Sequence, residues 1–189
     1  GCKNTIIPSS VTKIGDGAFE VCRNLYSIII PDFVTYIGNY AFNGCKNLTS
    51  VTMSNSVIVI GNGAFSGCTS LSDIQLSESI TDIGQYAFSN CESLSKIIIP
   101  QGVKKIEYSA FRECVSLNSV MLPDSLIDIQ NDAFSLCTGL EGVTIPDSVV
   151  SIGDFAFGYC TDLKRITIPQ NVFGVSTTAF CCCKSLEVM

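Results

Sequence analysis

The chain has 189 residues, with 11 Lys and Arg against 17 Asp and Glu, no His, and a net charge of −6 at pH 7. An acidic chain whose basic residues are scattered excludes a nucleic-acid surface, which needs clustered Lys and Arg, and the lack of His excludes triads built on an imidazole base. The hydrophobic fraction is 47%, yet no stretch approaches the roughly 20 continuous apolar residues of a membrane helix, so no membrane insertion is expected in this segment.

In chain order, Cys2 comes first, standing where later units carry leucine. From there one pattern recurs every 23 residues without insertion or deletion, through Ala18-Phe19, Ala41-Phe42, Ala64-Phe65, Ala87-Phe88, Ala110-Phe111, Ala133-Phe134, Ala156-Phe157 and Ala179-Phe180. A strict period of this length marks a solenoid, in which a single unit is too short to bury its own apolar face. The chain ends at Met189, partway into the strand that Leu186 opens. With no polar capping repeat at either end, residues 1–189 are expected to be one solenoid domain cut from a longer array, with any targeting signal outside it.

The unit from Leu71 to Leu94 shows the physics. Ile74 and Leu76 alternate with Asp73 and Gln75, the period of two of a short strand with one buried face. The next column reads Pro8, Pro31, Ser54, Ser77, Pro100, Pro123, Pro146 and Pro169 and takes up all six prolines. A proline there ends the strand, having no amide to give to a ladder. A turn follows, then inward Ile80 and Ile83, then a corner that is Gly15, Gly38, Gly61, Gly84 and Gly153 in five units. Because Glu107, Gln130 and Ser176 share that corner, a positive φ is not required of it. The Ala-Phe-x-x-Cys-x-x-Leu segment closes the unit, its spacing of three suiting a 3₁₀ or helical turn. Eight columns point inward and none of them carries a charge. The fold read from this is a repeat solenoid of about eight units, with short parallel strands about 4.8 Å apart.

Eight of the eleven cysteines, from Cys22 to Cys183, form one of these inward columns. Buried cysteine packs as a small hydrophobe, and an in-register column points its Cβ vectors in parallel, unsuited to bridges. The column is therefore expected to be reduced, with Cys2 a core residue of the leucine column. Cys181 and Cys182 stand outside it and are expected to be exposed. No zinc site is predicted, because there is no second ligand cluster.

Asp124 and Asp147 share a column on successive coils, but two carboxylates are too few for calcium and Asp is a good turn former. No catalytic, cofactor or metal residue is assigned, and no enzyme activity is expected. Asp82, Lys105 and Asp128 share another column, which predicts a charge ladder on the outside of the turn. The outward strand columns carry the candidate partner-binding residues. One reads Ile6, Ile29, Thr52, Gln75, Ile98, Met121, Thr144 and Thr167, and its neighbour Asn4, Ser27, Ser50, Asp73, Lys96, Ser119, Gly142 and Arg165. Ile29, Asp73, Gln75, Lys96, Ile98 and Met121 are the residues singled out, since exposed apolar groups beside polar ones mark interaction surfaces. The opposing reading is that β-branched residues simply favour strands and that Asp73 pairs with Lys96.

The run Leu-x-x-Ile-x-Ile-Pro-x-Ser-Val-x-x-Ile-Gly-x-x-Ala-Phe-x-x-Cys resembles the BspA-like leucine-rich repeat, also called the Treponema pallidum type, over the whole chain. The resemblance implies a right-handed leucine-rich-repeat superhelix with a sheet on its concave side. It also implies a secreted or cell-surface protein that acts in adhesion, binding a protein or glycan partner. In such repeats an asparagine ladder would fall at Ser10, Ser56, Ser79, Ser125, Ser148 and Asn171, broken by Phe33 and Gly102. A spacer that presents another domain is the alternative function.

Overall fold

The computed structural model describes residue 2 and residues 5–187, so the expectations for Asn4 and for the strand's end at Met189 lie outside the described residues. Among the described residues there is no helix; every element is a short strand or a turn. One strand series follows the leucine column: β2 (Ser27–Ile30), β4 (Ser50–Met53), β6 (Asp73–Ile74), β8 (Lys96–Ile98), β10 (Ser119–Met121), β12 (Gly142–Thr144) and β14 (Arg165–Thr167). The other precedes the corner: β1 (Lys13–Ile14), β3 (Tyr36–Ile37), β5 (Val59–Ile60), β7 (Asp82–Ile83), β9 (Lys105–Ile106), β11 (Asp128–Ile129), β13 (Ser151–Ile152) and β15 (Gly174–Val175). All pairing is parallel and in register by one repeat, as in Ser27 with Ser50 with Asp73. The chain is thus a parallel solenoid of 23-residue coils, as the period predicts.

Between the two strands of a coil, the carbonyl of the Pro/Ser column accepts the amide three residues on in every coil except that of Ser54, as in Val103 N–H to Pro100 O at 3.1 Å. Proline suits that place because the turn asks nothing of its missing amide. The Ala-Phe-Cys-Leu segment is a run of such three-residue turns, with Cys91 N–H to Phe88 O at 3.2 Å and Leu94 N–H to Cys91 O at 3.1 Å. In every coil but the last, two positions are left-handed, one just before the alanine and one two residues after the phenylalanine; the last coil has the second of these, Cys182. Tyr86 (φ 57°) and Asn90 (φ 60°) fill them in one coil, and Gly63 and Gly67 in the coil before. The corner column does not have positive φ, in line with the sequence reading.

The core is a set of stacked columns. Phe42, Phe65, Phe88, Phe111, Phe134 and Phe157 are completely buried. All eight column rings, from Phe19 to Phe180, stack nearly parallel with centroids 5.1 to 5.6 Å apart. Burying such a side chain stabilises by about 1.5–3 kcal/mol. The cysteines add a second ladder. From Cys45 to Cys183 each Sγ lies 3.0–3.3 Å from the carbonyl oxygen of the phenylalanine 26 residues earlier and donates its S–H to it. A thiol fits this slot because it is small and apolar yet has a weak proton to give. The first and last coils have one neighbouring coil each, so Phe19 and Phe180 are only partly buried and Val175 is exposed.

Two sequence expectations are corrected here. Cys22 is not a free thiol, nor Cys2 a plain core residue: the two form a disulfide with Cα atoms 5.6 Å apart. The parallel-vector argument holds within one column, whereas Cys2 sits in the neighbouring leucine column one coil earlier, at an ordinary bridging separation. The polar ladder also lies elsewhere. Of the serine column, Ser125 and Ser148 donate to the carbonyls of Gln101 and Leu126. The repeated side-chain bond belongs instead to the column of Asp16, Asn39, Asn62, Asn131 and Asp154. Asp16, Asn39, Asn62 and Asn131 each present Oδ1 to the backbone N–H of the same position one coil on, at 2.8–2.9 Å.

That ladder explains the glycine corner. A Cβ at Gly84 would stand 2.5 Å from Asn62 Oδ1 and 2.6 Å from the Asn62 backbone N, and one at Gly153 would stand 2.3 Å from Asn131 Oδ1 and 2.6 Å from the Asn131 backbone N. Glycine stands where the coil before it brings both its backbone and a short Asp or Asn side-chain oxygen this close. Glu107 and Gln130 replace glycine one coil after Gln85 and Tyr108, which cannot present one. Ser176 follows Asp154 and resolves the crowding differently, by donating its hydroxyl to Asp154 Oδ1.

Candidate interaction surface

The outward residues of the first strand series are where their alternation places them. Ile29, Asp73, Gln75, Lys96, Ile98 and Met121 are all exposed, with Ile29 at 68% and Ile98 and Met121 at 59%. Ile98 lies directly beside Met121 across the β8–β10 pairing. The strand geometry accounts for this: the intervening Ile74, Ile97 and Val120 turn into the core and fix the face of their neighbours.

The face is not uniform. Its strands form three separate sheets, β2-β4-β6, β8-β10 and β12-β14. The interruptions match missing bonds in the column that joins Thr49 N–H to Tyr26 O and Asn118 N–H to Ser95 O, a series that skips Ser95 and Glu141. The second strand series breaks once, between β7 and β9. There the amides of Lys104 and Glu107 lack the bonds that Thr81 and Gly84 make to the preceding coil. The Asp/Asn ladder also stops at that junction, at Gln85 and Tyr108. Both strand series therefore open between the same two coils.

A recess of about 350 Å³ lies at the β6–β8 interruption, lined by Asp73, Gln75, Glu78, Lys96, Ile98 and Gln101 among others. Four of the six residues singled out from sequence thus converge on one place. Met121 lines a second recess of about 560 Å³ at the β10–β12 interruption, with Asp124 and Arg165. Ile29 lies apart from both, in a recess of about 420 Å³ that it shares with Ile6 and Tyr26.

The charges around the β6–β8 recess are unspent. The ion pairs among the described residues are Arg112–Glu113 at 2.6 Å and Lys164–Glu141 at 3.3 Å, so Asp73 and Lys96 do not pair, contrary to the opposing reading. The column of Asp82, Lys105 and Asp128 keeps its register at Lys105 and Asp128 but closes no ion pair. Asp128 accepts from Ser151 Oγ and Gln130 Nε2, both at 2.5 Å. Asp82 accepts from its neighbour Thr81 at 2.6 Å. Local hydroxyl and amide donors are closer to these carboxylates than the flexible lysine is. Asp124 and Asp147 are both exposed, and among the described residues no group of three or more His, Cys, Asp or Glu could hold a metal.

Sequence reasoning missed the Asp/Asn ladder and the interruptions. The signal for the first was present, since Asp16, Asn39, Asn62, Asn131 and Asp154 share a column. The interruptions have a fainter mark, the bulky Gln85, Glu107 and Tyr108 at places that are short or glycine elsewhere.

Comparison with known proteins agrees with this architecture. The sequence matches the BspA type leucine rich repeat region over residues 1–118 and 81–189. In sequence, no curated protein matches it. A leucine-rich repeat protein from Bacteroides ovatus is 32% identical with a TM-score of 0.74, over 94% of this chain and 58% of that one. The T. pallidum leucine-rich repeat protein is 27% identical with a TM-score of 0.69, over 97% and 77% of the two chains. A leucine-rich cell surface protein from Faecalibacterium prausnitzii is 26% identical with a TM-score of 0.64, over 96% and 79%. The chain thus spans little more than half the length of the Bacteroides ovatus protein.

Proposed function

Since the chain belongs to the BspA-type leucine-rich repeat family, we propose that it is an extracellular or cell-surface recognition module that binds a protein or glycan partner through its outward strand columns, centred on the recess between β6 and β8. The observation that carries this reading is the convergence of Asp73, Gln75, Lys96 and Ile98 on that recess with their charges unpaired. An exposed branched apolar residue flanked by both signs of charge and an amide offers contact area with polar groups to orient a partner. The cell-surface description of the Faecalibacterium prausnitzii protein supports the location. Among the described residues no helix is long and apolar enough to cross a membrane.

The test is binding of the immobilised chain to a panel of extracellular-matrix proteins and surface glycans, repeated with Ile98→Ser and Lys96→Ala. A partner that uses this face loses affinity by roughly five- to thirtyfold, the scale of one well-placed contact of roughly 1–2 kcal/mol. A partner that binds both variants as it binds the wild type moves the site to the turn side. The unbroken phenylalanine and cysteine ladders favour a second reading, a stiff spacer, and a spacer binds nothing on the panel.

A further inference from the structure

Eleven cysteines stand in this chain, and the fold commits nine of them. Cys2 and Cys22 are bridged, and seven others donate Sγ–H to phenylalanine carbonyls. Cys181 and Cys182 remain. Their sulfurs are 3.5 Å apart, within hydrogen-bonding distance of one another, with Cys182 exposed and Cys181 half-buried. In extended backbone adjacent side chains point to opposite faces. Here the turn, with Cys182 at φ 63°, brings both sulfurs to one side. No other coil has a thiol at either place: the corresponding pairs include Ser66-Gly67, Ser89-Asn90 and Arg112-Glu113.

We propose that Cys181 and Cys182 form an exposed vicinal dithiol that oxidises reversibly to a Cys181–Cys182 disulfide by exchange with a low-molecular-weight disulfide such as glutathione disulfide. Cys182, the more exposed residue, loses its proton to solvent and attacks one sulfur of the oxidant. The S–S bond of the oxidant breaks and one glutathione thiolate leaves. Cys181 then loses its proton and attacks the Cys182 sulfur of the mixed disulfide, expelling the second glutathione thiolate. The two protein thiols are oxidised together, and one disulfide oxidant is reduced to two thiols. Its hydrogen bond with Cys182 pushes the Cys181 thiol up, which fits Cys181 as the second, resolving sulfur. Adjacent Cα atoms are about 3.8 Å apart, below the roughly 4.4–6.8 Å of ordinary bridges. The bond is therefore strained and belongs with the easily reduced, labile disulfides.

The experiment treats the full chain with glutathione disulfide, alkylates the remaining thiols after denaturation, and locates the labels by peptide mass spectrometry. The expected result is a monomer that has lost two labels, both from Cys181 and Cys182, which brief mild dithiothreitol restores. In Cys181→Ser the reaction stops at a lasting glutathione adduct on Cys182, which shows that Cys182 is open to the oxidant whether or not the ring can close. A lasting glutathione adduct on the wild type, a disulfide-linked dimer, a bridge to Cys183, or full labelling of both cysteines overturns the proposal.

Discussion

The two sides of each coil hold the stack together differently. On the turn side, the phenylalanine amide donates to the alanine carbonyl of the next coil at every one of seven steps, from Phe19 N–H to Ala41 O through Phe157 N–H to Ala179 O, at 2.7–2.9 Å. A ring stack and a thiol ladder run beside that series. On the strand side, both series are interrupted, together between β6–β7 and β8–β9 and once more between β10 and β12. The continuous side uses the same residues in each coil, whereas the interrupted side varies its outward residues. The difference teaches that in this solenoid coil order is maintained from the turn side, which leaves the strand face free to vary in sequence and to open into recesses.

The severest way to break that comparison is to empty the continuous side. Phe88→Ala, in the middle of the stack, should lower unfolding free energy by about 3–5 kcal/mol in chemical denaturation. A variant with wild-type stability would show that the ring stack does not hold the coils.

Alkaline pH attacks the same side without mutation. Burial pushes the column thiols up, Cys114 from 9.0 to about 12 and Cys91 and Cys137 well above 9.0. Once pH passes 9.0, these thiols ionise in the unfolded chain but stay neutral in the folded one, so the unfolded state binds fewer protons. Stability is complete below the ordinary thiol value and falls as pH rises toward about 12. Melting temperature followed upward from that value checks the sign, and a flat profile would mean the thiols are accessible.

A smaller effect separates two corners of the same column. Gly84→Ala sets a Cβ against Asn62 and should cost about 1–3 kcal/mol as overpacking. Gln130→Ala, at the equivalent corner, should stay within about 0.5 kcal/mol. Equal costs would break the link between the glycine and the Asp/Asn ladder. Smallest of all is the strand face: Ile98→Ser should change stability by less than about 0.5 kcal/mol, because its side chain is mostly exposed. A larger loss would make Ile98 structural and weaken its place in a binding site.

The continuous side was legible because Ala, Phe and Cys recur at a fixed interval and each coil states the pattern alone. The outward positions of Asp73, Gln75, Lys96, Ile98 and Met121 were legible for the same reason, by alternation with buried Ile74, Ile97 and Val120. What escaped depends on pairs of coils. Glycine at 84 makes sense only beside Asn62, and the opening between coils only from Gln85, Glu107 and Tyr108 taken together. The Cys2–Cys22 bridge escaped because it crosses from one column to another. The six site candidates were read as one surface, whereas four gather at one recess and Ile29 and Met121 lie elsewhere, a grouping set by the sheet interruptions.

Amide hydrogen exchange tests the contrast between the sides most directly. The amides of Phe65, Phe88 and Phe111 should be among the last to exchange, at the level of global unfolding, while those of Lys104 and Glu107 exchange by local opening orders of magnitude sooner. Equal protection of Lys104, Glu107 and the phenylalanine amides would mean that the strand side is as continuous as the turn side, and would contradict the account.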